Sequence, residues 1–399
     1  MISFKPFKST YLFLFLLLNF QLISYAQSSE LKIETAAART GLYVNLLKGK
    51  NIAVVANQTS VIFKEMYKKK QEARHLVDSL LMLGVEVKKV FAPEHGFRGK
   101  ADAGEVVKDG FDTKTGLQII SLYGKNKKPS ATQLKGIDIV VFDIQDVGAR
   151  FYTYISSLHY VMEACAEAGI QVIILDRPNP NSHYIDGPVL EAKHTSFVGM
   201  HKVPVVYGMT IGEYGKMING EKWLKNGIQC DLKVIPLKNY NHQTKYSLPI
   251  KPSPNLPNDK SINLYPSLCF FEGTNVSAGR GTEMQFQVYG SPYITKSSFT
   301  FTPQANEGSK YPKYKKQRCF GEDLRTAKNL NKLDLSYLLK AYQQNTSKEF
   351  FNTFFTKLAG TERLQEQIEK GLSEKEIRKN WVQDIISFKK IRKKYLLYK

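Results

Sequence analysis

The feature that most limits the fold of this chain is a series of five apolar segments rich in β-branched residues in its first half. They are NIAVVAN (51–57), VEVKKVFA (85–92), LQIISLY (117–123), IDIVVFDI (137–144) and IQVIILD (170–176). Strands this hydrophobic that alternate with helical segments are typical of a parallel sheet covered on both faces. The sequence therefore predicts a Rossmann-like α/β domain over residues 37–200.

The pattern changes after about residue 200. HKVPVVYGMTIGEYGKMING (201–220) predicts a strand and then a helix that begins near Thr210, and CDLKVIPL (230–237) predicts another strand. From about residue 322 the spacing is mostly helical. We therefore expect an α/β protein in which a second, smaller α/β domain (201–399) closes the pocket and includes a helical C-terminal segment.

The first residues predict a cleaved secretory signal peptide over residues 1–26. Lys5 and Lys8 precede the apolar run YLFLFLLLNFQLISYA (11–26), in which Ser24 and Ala26 supply the small residues of a cleavage site. An uncleaved membrane anchor is the alternative. We expect a periplasmic or secreted protein with no integral membrane segment after removal of the signal.

Charge and motifs narrow the classes of partner. The formal net charge is +21, and an exported basic protein suits an anionic surrounding such as cell-wall polymer, acidic sugar or a membrane surface. A nucleic-acid partner is not expected, because no nucleic-acid motif is present and the compartment argues against one. The loop VVANQTSV lacks the glycines of a dinucleotide site, and the four cysteines show no C-x-x-C spacing. We expect no cofactor and no metal.

Polar residues follow four of the five predicted strands. In strand order they are Asn57, Gln58 and Thr59; Glu94, His95 and Arg98; Asp143, Gln145, Asp146, Arg150, Tyr152 and Tyr154; and Asp176, Arg177, Asn179 and Asn181. Ligands of open parallel sheets bind beyond the carboxyl ends of the strands, which share one edge. The sequence therefore predicts a single site at this edge. Asp143 also fits a structural role, because an acid at a strand end often caps the following loop.

The residue types in this set fit sugar hydrolysis better than metal-dependent hydrolysis. Glycoside cleavage usually needs one carboxylic acid to protonate the leaving oxygen and a second carboxylate as base, nucleophile or charge stabiliser. A second polar group in CFFEGTNVSAGRGTEMQF (269–286) adds Glu272, Asn275 and Arg280. A serine hydrolase is disfavoured, because Ser277 lacks the flanking glycine of a G-x-S-x-G turn.

Several long motifs resemble one enzyme family. ANQTSV, APEHGFRGKADAGE, SLYG, VVFDIQDVGARFYTYI, LDRPNP, PSPNLP and FEGTNVSAGRGT occur in the order seen in the exo-β-N-acetylmuramidase family of peptidoglycan-recycling glycoside hydrolases. The resemblance runs from about residue 37 to the C-terminus. It implies an exo-acting glycosidase that releases terminal N-acetylmuramic acid from the non-reducing end of peptidoglycan fragments, with muramyl saccharides as its partners. A non-catalytic cell-wall glycan-binding protein is the alternative.

The resemblance also suggests roles for individual residues. The glutamate of the EHG motif falls on Glu94, which we interpret as the catalytic acid. The candidates for a second catalytic carboxylate are Asp143, Asp146 and Glu272. The predicted substrate-binding residues are Asn57, His95, Arg98, Arg150, Tyr152, Asn275 and Arg280. Among the arginines, Arg280 is the first candidate to pair with the lactyl carboxylate of muramic acid, because a guanidinium binds a carboxylate through two parallel hydrogen bonds.

Overall fold

The computed structural model describes residues 32–64, 72–98 and 109–398, so the predicted signal peptide lies outside the described part. The strands are β1 (Ile52–Ala56), β2 (Val61–Lys64), β3 (Glu72–His75), β4 (Val87–Ala92), β5 (Gly110–Phe111), β6 (Gln118–Ser121), β7 (Ile139–Asp143), β8 (Gln171–Leu175), β9 (Leu232–Ile235), β10 (Val288–Ser291), β11 (Phe299–Phe301) and β12 (Cys319–Asp323). The α-helices are α1 (Val44–Leu47), α2 (Leu76–Met82), α3 (Ala131–Leu134), α4 (Tyr154–Ala168), α5 (Ile211–Gly220), α6 (Asp259–Leu268), α7 (Ser336–Gln344), α8 (Phe355–Ala359), α9 (Arg363–Glu369), α10 (Glu374–Lys379) and α11 (Val382–Lys393).

The large sheet has seven strands in the order β5-β6-β4-β1-β7-β8-β9. Every pair is parallel except β5 with β6. From the central strand β1 the chain adds strands first towards one edge and then, from β7, towards the other. This is the order of a Rossmann sheet, whose ligands bind where the direction reverses, between β1 and β7. The predicted α/β class is confirmed.

Both faces of the sheet are covered, as the continuous apolar runs predict. Alternate residues of β1 enter different hydrophobic clusters: Ala53 and Val55 pack with α4 and α5, and Val54 packs with α1 and α2. Because neighbouring residues of a strand point to opposite faces, a strand buried on both sides must be apolar throughout. All five residues of β1 are buried accordingly.

Two helix boundaries are informative. The prediction of a helix that begins near Thr210 is confirmed, because Thr210 and Glu213 form a capping box at the start of α5, but the strand predicted before it is wrong, since residues 201–209 form only isolated bridges at Val206. The segment around 72–83 is helical only from Leu76. Its first residues form β3, which pairs antiparallel with β2, and the His75 imidazole accepts a hydrogen bond from Val77 N at the start of α2.

The second half of the chain adds one strand to the large sheet and builds smaller units. β9 pairs with β8, so the large sheet continues past residue 200. β10, β12 and β11 form an antiparallel sheet, and α7 to α11 make up the helical C-terminal region. The chain end returns to the large sheet, where the Tyr398 hydroxyl donates to Asp176 Oδ2 (2.6 Å). Within the described residues, no helix is long and apolar enough to cross a membrane.

Candidate active site

A tight turn after β4 places Glu94 at the edge of the sheet. His95 and Gly96 have φ values of 71° and 74°, and Gly96 N donates to Pro93 O (3.0 Å). Positive φ is rare for residues other than glycine, although histidine is among those that adopt it more often. The turn buries the His95 side chain and leaves Glu94 partly exposed beside the start of α4.

Two hydroxyl groups hold the Glu94 carboxyl group. The Tyr123 hydroxyl donates to Oε1 (3.0 Å), and the Thr153 hydroxyl donates to Oε2 (3.1 Å). Tyr123 follows β6 and Thr153 immediately precedes α4, so residues from distant parts of the chain fix both oxygen atoms of one carboxyl group. Such a group is oriented before any ligand arrives, which is what proton transfer to a positioned substrate requires.

Asn57, the residue after β1, helps to hold Glu94 in position through hydrogen bonds. Its Nδ2 donates to the Tyr154 hydroxyl (2.8 Å), which in turn donates to the Glu94 backbone oxygen (3.3 Å). Its Oδ1 accepts hydrogen bonds from the Thr59 backbone nitrogen and hydroxyl group. Asn57 is completely buried and reaches Glu94 through Tyr154, and these observations do not support its predicted contact with substrate.

A row of aromatic rings runs from Glu94 towards the second half of the chain. The ring centroids are 5.0 Å apart for Tyr154 and Tyr152, 5.8 Å for Tyr152 and Tyr265, and 4.9 Å for Tyr265 and Phe286. The Arg280 guanidinium lies over Phe286, 5.1 Å from its centroid. The Tyr152 hydroxyl donates to Pro252 O (2.8 Å), which fixes its ring in the row.

Glu272 and Arg280 form an ion pair at the far end of this row. Arg280 Nε donates to Glu272 Oε1 (2.9 Å), and both side chains are partly exposed. The Glu94 charge raises the pKa of the Tyr123 hydroxyl, in addition to the larger effect of burial, and the Arg280 charge lowers it. The charges of Glu94 and Arg280 therefore both act on the Tyr123 hydroxyl. The structure brings together five of the predicted residues: Glu94, Asn57, Tyr152, Glu272 and Arg280.

The structure does not bring Arg150 to a ligand. Its side chain is completely buried, and its guanidinium donates to four backbone oxygens, those of Pro188, Val203, Leu358 and Ala359. A substrate cannot reach these nitrogen atoms, and all their bonds run to the surrounding backbone. These contacts do not support the predicted substrate-binding role of Arg150, and its guanidinium joins separate parts of the fold.

Two more predicted binding residues are held by the protein itself. Arg98 donates to both carboxylate oxygens of Asp112 and also to Asp78. The Asn275 side chain donates to Asn345 Oδ1 (3.0 Å) and to Glu349 O (2.8 Å). Both residues thus stabilise neighbouring loops, and these contacts do not support the predicted roles in substrate binding.

The candidates for a second carboxylate differ in their surroundings. Asp143 is completely buried in a two-point ion pair with Arg177, at 2.6 and 2.8 Å. Asp146 is also buried, and its Oδ2 accepts hydrogen bonds from Gly148 N (2.7 Å) and the Tyr207 hydroxyl. Glu272 is partly exposed. The contacts of Asp143 match the structural alternative, and of the three side chains that of Glu272 is the most accessible.

Asp146 should make the stability of the fold depend on pH. Burial raises its pKa from 3.8 to about 6, so its contribution to stability is complete below pH 4 and is lost as the pH rises through 6. We expect wild type to lose about 2 kcal/mol more than Asp146→Asn between pH 4 and pH 7. Urea unfolding of both proteins across this range measures the difference, and parallel stability curves would contradict the prediction. Asp176, whose pKa burial raises to about 7, leaves a further slope in both proteins.

The described residues contain no group of three or more histidine, cysteine, aspartate or glutamate side chains that could hold a metal ion. The four cysteines are buried free thiols. The candidate site therefore consists of carboxyl, hydroxyl, amide and guanidinium groups beside aromatic rings. Sequence reasoning did not assign Tyr123 or Thr153 to it, although SLYG and GARFYTYI, the motifs that contain them, were the available signals.

These groups lie at the switch point of a Rossmann-like sheet, where ligands of this fold bind, and carboxyl groups beside aromatic rings are the residue types that glycoside hydrolases use. The chain belongs to the exo-β-N-acetylmuramidase NamZ family: the model of its N-terminal domain matches residues 52–260, and that of its C-terminal domain matches residues 263–398. The family predicted from the motifs is confirmed.

Individual relatives agree with this assignment. The peptidoglycan β-N-acetylmuramidase NamZ of Bacillus subtilis (strain 168) is 37% identical over 424 residues, which cover 98% of this chain and 100% of the relative. Two crystal structures of DUF1343 family proteins from Bacteroides fragilis NCTC 9343 share the fold. One has a TM-score of 0.83 at 46% identity, and the other has a TM-score of 0.76 at 26% identity. In both comparisons, 92% of this chain and 99% of the other chain are covered.

Proposed function

We propose that this protein is an exo-acting glycoside hydrolase that releases terminal N-acetylmuramic acid from the non-reducing end of peptidoglycan fragments. The observation that carries the proposal is the Glu94 carboxyl group, which two hydroxyl groups fix at 3.0 and 3.1 Å at the carboxyl edge of the sheet. Family membership supports the substrate class, and the fixed, partly exposed carboxyl group of Glu94 supports its role as the acid that glycoside cleavage requires.

In this mechanism Glu94 gives its proton to the glycosidic oxygen as the bond to the sugar breaks. Tyr123 and Thr153 keep the carboxyl group in place, and Asn57 holds the Tyr154 hydroxyl, which donates to the Glu94 backbone oxygen. A second carboxylate usually assists as base, nucleophile or stabiliser of the positive charge on the sugar. Of the predicted candidates, Asp143 and Asp146 are buried, and Glu272 is partly exposed with only its Oε1 bonded to Arg280 among the described residues.

A cleft beside the site offers room for the rest of the fragment. It has a volume of about 470 Å³ and lies between the loops that carry Gln58, Lys251, Glu283 and Glu307. Gln58 follows Asn57 directly, and Glu283 lies three residues after Arg280. The lining of the cleft includes amide, carboxylate, ammonium and hydroxyl groups, which can bind the hydroxyl and amide groups of a peptidoglycan fragment.

We further propose that the protein acts in the periplasm or outside the cell. Residues 1–26 have the sequence features of a signal peptide, which supports an exported location. Residues 1–26 contain Lys5 and Lys8 and no acidic residue, so the mature chain keeps a net charge of +19, which would favour association with an anionic wall.

A direct test uses the mature chain from residue 27 and a chromogenic β-N-acetylmuramide. We expect release of the chromophore together with free N-acetylmuramic acid, because Glu94 can protonate the leaving oxygen. On peptidoglycan fragments, the monosaccharide should appear from the first minutes, without larger glycans from internal cleavage. Binding of the muramide without release would instead support the non-catalytic glycan-binding alternative.

A further inference from the structure

Arg280 is anchored in a way that leaves one edge of its guanidinium open. Nε bonds to Glu272 (2.9 Å), and the guanidinium lies over the Phe286 ring. Among the described residues, its two terminal nitrogen atoms have no hydrogen-bond partner. The flanking Gly279 and Gly281 have φ values of 81° and 78°. A side chain at either position would collide with backbone oxygens, those of Met284 and Gln304, so the loop is closely packed.

A second cation lies behind this pair. The Lys313 ammonium group donates to the backbone oxygens of Phe271 (3.0 Å), Thr274 and Val276 (3.0 Å). Burial lowers the Lys313 pKa, and the charged side chains that act on it are Glu272 and Arg280. We call Arg280, Glu272 and Lys313 the cationic cluster.

The charges of the cationic cluster do not balance. Two cations and one carboxylate leave a net charge of +1 in a partly buried place, and Glu272 interacts with both cations. An uncompensated charge that is partly removed from water is costly, and an anionic ligand would offset that cost. The open edge of Arg280 has the planar geometry that binds a carboxylate through two hydrogen bonds.

A row of aromatic rings connects the cationic cluster to Glu94. Tyr154, Tyr152, Tyr265 and Phe286 form a continuous row between them. N-acetylmuramic acid differs from N-acetylglucosamine by a lactyl ether that carries a carboxylate. A sugar whose glycosidic oxygen meets Glu94 could therefore direct this carboxylate towards Arg280.

We propose that the cationic cluster is the subsite for the lactyl carboxylate and selects muramic acid over glucosamine. The inference rests on the proposed function, because it assumes that the sugar binds beside Glu94. Arg280 binds the carboxylate at two points, Glu272 holds the guanidinium in orientation, and Lys313 adds the charge that makes the cluster attract an anion. A neutral sugar leaves this charge uncompensated and is rejected.

The test compares three chromogenic substrates: the N-acetylmuramide, the same muramide with its lactyl carboxylate converted to an amide, and the N-acetylglucosaminide. In Arg280→Met, kcat/KM for the muramide should fall on the order of 30- to 1,000-fold. The values for the two uncharged substrates should change little, so the preference collapses. Lys313→Met should reduce the preference less. Arg325→Met is the matched control, because Arg325 also pairs with a carboxylate but is exposed.

Direct binding of free N-acetylmuramic acid and N-acetylglucosamine, measured by calorimetry, separates the two proposals. If wild type cleaves nothing but binds the acidic sugar through Arg280, the proposed function fails and the subsite stands. If Arg280→Met keeps the wild-type preference and binding, the subsite is overturned while the hydrolase is unaffected. Arg280→Lys tests the subsite if Arg280→Met does not fold. Lysine keeps the charge but cannot bind a carboxylate at two points, so this variant should lose part of the preference for the muramide. If Arg280→Lys keeps the full preference, the subsite is also overturned.

Discussion

Replacing Glu94 with glutamine is expected to slow hydrolysis of a muramide with a poor leaving group by about 100- to 10,000-fold. Glutamine keeps the shape of the side chain and can still interact with Tyr123 and Thr153, which hold the carboxyl group in wild type. It cannot give a proton to the departing oxygen. Steady-state kinetics of the purified variant measure the loss, and substrate binding should be largely retained.

A second substrate identifies the step that Glu94 serves. A muramide whose leaving group is already acidic needs little protonation, so Glu94→Gln should cleave it at a rate much closer to that of wild type. Equal losses on both substrates would assign Glu94 the role of nucleophile or base, and wild-type rates on both would remove it from the mechanism. Tyr123→Phe provides a graded comparison, because it removes one of the two hydroxyl donors and leaves the acid in place.

The sheet and the position of the site were predictable from the sequence for a physical reason. A strand buried on both faces must be apolar at almost every position, so β1, β7 and β8 are visible as nearly continuous runs, whereas β4 and β6 carry exposed polar residues near their starts. Parallel strands also share one carboxyl edge, so the residues after them must come together there. This rule alone predicts that Glu94 and Asn57 lie close together, and no information about side-chain packing is needed for that prediction.

The roles of the charged residues were less predictable, because they depend on partners far away in the chain. Asp143 ends β7 and Arg177 follows β8, and nothing in either segment shows that they bond to each other. Lys313 reaches the backbone of residues 271–276 from a distant loop. A list of polar residues at an edge therefore mixes groups that meet a ligand with groups that bind only the protein, and the contacts decide between them.

Arg150 shows this difference most clearly and supports the second large prediction. Its Nη1 donates to Pro188 and Val203, and its Nη2 donates to Leu358 and Ala359, at distances between 2.8 and 2.9 Å. The last two residues lie 208 and 209 positions further along the chain. One guanidinium therefore ties the end of α8 to loops that follow the large sheet. No carboxylate pairs with it among the described residues, and burial lowers its pKa to about 10.

We expect Arg150→Met to lower the free energy of unfolding by about 5 kcal/mol or more, because each buried oxygen left without a donor costs about 1–3 kcal/mol. That loss approaches the whole stability of an ordinary domain, so the variant should be largely unfolded or insoluble. Arg150→Lys keeps the charge, but its single ammonium group has three donors for four oxygens, and it should be intermediate. Arg325→Met, which removes an exposed arginine, should remain within about 0.5 kcal/mol of wild type. Urea unfolding followed by circular dichroism measures all three.

A stable, folded Arg150→Met that has lost only its affinity for muramyl sugars would contradict this prediction and restore the ligand-binding role inferred from the sequence. The reason is that a guanidinium that holds the fold together cannot be removed without loss of the fold.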